Sequence, residues 1–140
     1  MRWSFLLSHH DGAGLARCFR LGPLHVCARC SGLWPTLVAG IGVLTAKPVP
    51  SSRWDLPVEL ALILPALWDW ARSLRHPKLG TNLGRAATGA LLGLGLARAA
   101  VLGRVEGYGT AGFLLPILLC SSWVVLAPRV WPDSPESLSS

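Results

Sequence analysis

Two stretches of this chain, residues 33–46 and 111–127, contain no charged side chain. A helix on the surface of a soluble bundle needs a polar face recurring about every 3.6 residues. Neither stretch can supply one. The whole chain is 51% hydrophobic and 14% charged, against about 25% charged in an ordinary soluble domain. Two further runs are apolar apart from a few charges each, so four are expected, over about 31–46, 54–71, 85–102 and 111–127. Each lies near the short end of the roughly 17–25 residues that span a bilayer. The predicted fold is all-α: one integral membrane bundle of four short transmembrane helices over 1–127. A Cys/His-containing N-terminal segment, 1–30, precedes the helices, and a disordered Pro/Ser tail, 128–140, follows them. Seven tryptophans against one tyrosine and three phenylalanines suit anchoring at the membrane interface.

Prolines and glycines set the divisions. Gly12, Gly14, Gly22 and Pro23 break the N-terminal segment into turns. Pro35 is expected in the first turn of run one, where its missing N–H costs least. Pro48 and Pro50 stop that run, and Pro65 predicts a kink in run two. Trp3 to Leu7 is too short for the apolar core of a signal peptide, and none is expected. Gly89, Gly93 and Gly95 fit small-x3-small packing between membrane helices. They are not a nucleotide loop, since no strand leads into them.

The net charge of +6 is spread between the apolar runs rather than gathered into a patch, so no nucleic-acid partner is expected. The basic residues read as topology signals. Arg2, Arg17, Arg20, Arg29, Arg72, Arg75, Lys78, Arg85 and Arg129 fall on one side, and Lys47, Arg53, Arg98 and Arg104 on the other. Nine against four puts both termini in the cytoplasm of a multi-pass protein of the inner or plasma membrane. Its expected partners are membrane lipid and either a second copy or other membrane proteins.

Soft ligands gather only near the N-terminus: His9, His10, Cys18, Cys27 and Cys30, with His25 beside them. Three thiolates and one imidazole would complete a tetrahedral site for zinc or another transition metal. A Cys-x2-Cys turn suits this, because both sulfurs can converge on one ion. The same pair could do thiol–disulfide chemistry, since a helix start and Arg29 both lower a thiol pKa. The bland alternative is a pair of small residues at a helix start. Haem attachment of the c type is not expected, because Ser31 follows Cys30 where His would be needed. Cys120 stands alone in run four and reads as a packing residue.

Charges inside apolar runs are costly and mark candidate sites. Asp69, Asn82 and Arg85 predict a polar pocket on the cytoplasmic side, next to the cysteines. It could receive a metal ion, a headgroup or a small anion, or Asp69 could simply pair with Arg72 at i, i+3. Depth counted at about 1.5 Å per residue predicts two cross-helix pairs, Asp69–Arg85 and a structural pair Glu59–Arg98.

The run Cys27-Ala-Arg-Cys-Ser-Gly-Leu-Trp34, with an upstream His and Arg17-x-Phe19, resembles the bacterial and archaeal family called domain of unknown function 2085. Asp69 and Thr81-Asn82-x2-Arg85-x2-Thr88-Gly89-x3-Gly93 agree with it in order. Two positions depart: Cys18 stands where the family usually has Ser, and Arg72 where it often has Gln. The resemblance implies a small membrane protein. It also implies that His9 or His10, Cys27, Cys30, Asp69, Asn82 and Arg85 form one site.

No catalytic triad, nucleotide loop or cofactor motif is present, so metal binding in a structural, sensing or transport-accessory role leads. A membrane thiol–disulfide oxidoreductase using Cys27 and Cys30, or a scaffold without chemistry, is the alternative.

Overall fold

A computed structural model describes residues 17–22, 24–76, 80–107 and 114–122. His9, His10 and the tail 128–140 lie outside the described residues.

The first described element is a β-hairpin, where only turns were expected. β1 (Cys18–Leu21) pairs antiparallel with β2 (Leu24–Cys27). Their Cα partners are Cys18–Cys27, Phe19–Val26, Arg20–His25 and Leu21–Leu24. Gly22 takes φ +61° between the strands. This is a left-handed conformation that glycine adopts without steric cost.

Helix α1 (Ala28–Ala46) follows β2 without a gap. It starts three residues earlier than run one, so Pro35 is interior rather than in the first turn. The helix ends as Lys47 N–H reaches the Val43 carbonyl at 2.8 Å. Pro48 and Pro50 bar its continuation. Helix α2 (Asp55–Arg75) carries Asp55 in its first turn and Arg72 and Arg75 in its last, both favourable to its dipole. Those arginines take α2 past the expected end at 71. Helix α3 (Asn82–Glu106) is capped by the Thr81 hydroxyl, which accepts from Gly84 N–H at 3.1 Å, a usual role for threonine at this position. Residues 114–122 are also helical, inside the fourth expected run.

The chain is thus mostly helical, with four helices and one small hairpin among the described residues. By length and composition, α3 is the one described helix apolar enough to cross a membrane. The lengths of α1 and α2 would also serve. Helix α1 has 19 residues and α2 has 21. At about 1.5 Å per residue they reach about 28 Å and about 31 Å, close to a bilayer core of about 30 Å. They fall short in composition. Arg29 and several small polar residues dilute α1, while Asp55, Glu59, Asp69, Arg72 and Arg75 charge α2.

Helix α3 is central, packed most extensively on α1 and also on α2. Its contact with α1 is backbone against backbone. A Cβ at Gly32 would overlap the Ala86 carbonyl, and one at Gly89 would overlap the Arg29 carbonyl. A Cβ at Gly93 would run into the side chain of Thr36 and the Leu33 carbonyl. The Thr36 hydroxyl donates across this seam to the Ala90 carbonyl at 3.0 Å. On another face of α3, Gly95 admits Ile63 and the Glu59 backbone of α2. The glycine pattern therefore works on two sides of one helix, as close packing in lipid demands.

Alanines make up much of the interior beside Ile63, Leu67, Val101 and Leu102, and many large apolar side chains face out. Ala28, Ala66, Ala71, Ala97 and Ala99 are buried, while Trp34, Val38, Val43, Leu64 and Trp68 are exposed, Trp68 to 74%. In water such a surface would be an association hazard.

Candidate functional site

The hairpin sits at the end of the bundle where α1 and α3 begin and α2 finishes. Alternation along the strands puts Cys18, Arg20, His25 and Cys27 on one side. Cys18 and Cys27 are cross-strand partners and both are buried. Cys30, one helical turn beyond Cys27, hydrogen-bonds the Cys27 side chain and lies within electrostatic reach of Cys18. All three are thiols rather than disulfides. Burial, then the Cys27 and Cys18 thiols, push the Cys30 thiol up to about 11, against a weaker pull from Arg29. Arg29 does not bring the Cys30 thiol down, because its guanidinium is engaged elsewhere. Among the described residues, no group of three Cys, His, Asp or Glu side chains stands at metal-ligand spacing.

Arg29 points away from the thiols and into α2. Its Nε and Nη2 donate to Asp69 Oδ2 at 3.0 and 2.6 Å, and Nη2 also reaches the Ser73 hydroxyl at 2.8 Å. The expected Asp69–Arg85 pair is corrected accordingly: the Asp69 carboxylate is taken by Arg29. Arg72, the other expected partner, is exposed. Hairpin geometry explains the change, since starting α1 directly after β2 turns Arg29 toward the last turns of α2.

Asn82 and Arg85 do meet the hairpin. Asn82 Nδ2 donates to the Cys18 carbonyl at 3.1 Å, fastening β1 to the first residue of α3. Arg85 Nη1 donates to Asn82 Oδ1 at 3.2 Å, and Arg85 is 5% exposed. Burial, then the charges of Arg85 and Arg29, lower the Arg17 pKa from its ordinary value, so three guanidiniums converge at this end. Asp69, Asn82 and Arg85 therefore border the cysteine hairpin, although Asp69 reaches it through Arg29. Ser73 and Arg29 as anchors were not read from the sequence. Ser73, one turn after Asp69, was the available signal.

The pair Glu59–Arg98 is also corrected. Arg98 Nε and Nη2 donate to Asp55 Oδ1 and Oδ2 at 3.0 and 2.9 Å, at the far end of α2. Its nitrogens also donate to the Val49 and Pro50 carbonyls, each at 3.0 Å. Asp55 lies one turn nearer the interface than Glu59, and a long arginine stem extends toward water.

The family model described as predicted membrane protein (DUF2085) matches residues 15–98. The chain belongs to this family. The DUF2085 match covers the hairpin, α1, α2 and most of α3, so it contains every described residue of the site. No curated protein and no solved structure matches the chain.

Proposed function

We propose that this DUF2085 protein is a multi-pass membrane protein whose hairpin end holds a soft divalent metal ion such as zinc. Cys18, Cys27 and Cys30 would be thiolate ligands, and His9 or His10 the fourth. The observation that carries this reading is the hairpin register, which sets Cys18 opposite Cys27 with the Cys30 thiol hydrogen-bonded to Cys27. Thiols gathered this closely suit a divalent cation, which stabilises their deprotonated forms. The same crowding disfavours thiol exchange. A thiol near 11 offers little thiolate at neutral pH. The three thiols do not stand at ligand spacing among the described residues, so they would have to close on the ion, with His9 or His10 as the fourth ligand. The outward-facing Leu, Val and Trp side chains support lipid as the surrounding partner. The basic asymmetry supports a cytoplasmic hairpin, where thiols stay reduced.

Metal analysis of the detergent-purified full chain, with thiol counting before and after chelation, tests the metal reading. About one equivalent of metal with protected thiols is expected, lost in Cys27→Ser and kept in Cys120→Ser. Wild-type protein carrying no metal, or Cys27→Ser retaining all of it, overturns the reading.

A further inference from the structure

Glu59 is 0% exposed, and neither carboxylate oxygen has a hydrogen-bond partner among the described residues. It sits on the buried seam of α2, where its backbone abuts Gly95 of α3. Bare burial of a carboxylate is costly. A carboxyl group so placed in a bilayer is a functional candidate by default. Its surroundings offer one compensating charge, already in use. Asp55 precedes it by one turn on α2, and Arg98 faces it from α3. These two are paired with each other. The helical stretch 114–122 brings no charged residue, its one titratable side chain being Cys120. Arg104 and Glu106 lie at the exposed end of α3.

We propose that Glu59 is a reversible proton-binding site within the span, and that Arg98 is shared between it and Asp55. In the described state Glu59 is a neutral carboxylic acid and Arg98 serves Asp55. Loss of the proton to water leaves two carboxylates and one guanidinium. The Glu59 carboxylate then competes for Arg98 and draws it inward. Arg98 also holds the Val49 and Pro50 carbonyls, so the loop at 47–53 loses two of its anchors. A cavity of about 520 Å³, lined by Val49, Pro50, Ser51, Arg98 and Val101 among others, gives solvent access to the Arg98 end. The proton therefore enters and leaves on the side away from the cysteine hairpin. No bond other than O–H breaks, and no co-reactant is needed. The site is independent of metal at the hairpin, since Cys18, Cys27 and Cys30 lie at the opposite end of the bundle.

Infrared spectra of the full chain in lipid, titrated with alkali, test the proposal together with hydrogen exchange of the loop. A protonated-carboxyl band is expected near neutral pH. It should vanish on alkalisation and be missing from both Glu59→Gln and Glu59→Leu. Above the pH at which the band is lost, residues 47–53 should exchange about fivefold faster in wild type than in Glu59→Gln at the same pH. The proposal is overturned by a wild type without the band or by a band surviving in either variant. Loop exchange equal in wild type and variant throughout the titration overturns it as well.

Discussion

Arg29→Leu is the substitution that probes the site most directly. Arg29 makes two charge-assisted bonds to Asp69 Oδ2, one to the Ser73 hydroxyl and a longer one to the Asp69 carbonyl at 3.3 Å. Its side chain is 26% exposed and that of Asp69 21%. The pair is therefore neither the exposed kind, worth about 0–1 kcal/mol, nor the fully buried kind, where losing one partner costs about 3–5 kcal/mol. Hydrogen bonds to charged groups contribute about 1.5–3 kcal/mol each, and partial exposure screens them. A net loss of about 2 kcal/mol is expected from Arg29→Leu, with a similar loss from Asp69→Leu. The double variant should recover part of that sum, giving a coupling of about 1–2 kcal/mol. Unfolding in mixed micelles by increasing denaturing detergent, followed by tryptophan fluorescence, measures all four corners of the cycle. A parallel cycle pairing Asp69→Leu with Arg85→Leu should show much weaker coupling. Additive losses at Arg29 and Asp69, or equal coupling in both cycles, would refute the assignment of Asp69 to Arg29.

Two other outcomes follow from packing and charge. Gly93→Leu should separate α1 from α3 and destabilise the bundle by about 3 kcal/mol or more. Gly42→Leu, with open space around it, should be near neutral in the same unfolding assay. A reporter active only in the cytoplasm, fused in separate proteins after residue 140 and within the 47–53 loop, should be active at the first site and silent at the second. The reverse pattern would place the thiols in an oxidising compartment.

The positions of the helices were legible because long apolar runs and their proline stops act locally. The Gly89-x3-Gly93 seam was legible for the same reason, since residues three and four apart on a helix share one face. The hairpin was not. Four-residue strands alternate too briefly to stand out, and Gly22-Pro23 marks a turn without saying what it joins. Missing the hairpin hid the Cys18–Cys27 register and the direction of Arg29. The ion pairs failed for a different reason. Counting rise along a helix gives depth in a membrane and says nothing of azimuth or of stem length. Asp55 and Glu59 share a face of α2, and only the three-dimensional path of Arg98 to the Val49 and Pro50 carbonyls decides between them.

The two ion pairs lie near opposite ends of α2, Arg29–Asp69 at one and Arg98–Asp55 at the other. Between α1 and α3, glycine lets main chain lie on main chain, and Asn82 stitches the hairpin to the same block. Mechanically the molecule is a rigid frame with a panel bolted to it. Shifting the frame means unzipping a whole seam of touching backbones. Swinging the panel means drawing two bolts, each within reach of water and each sensitive to charge, and pulling Ile63 away from Gly95.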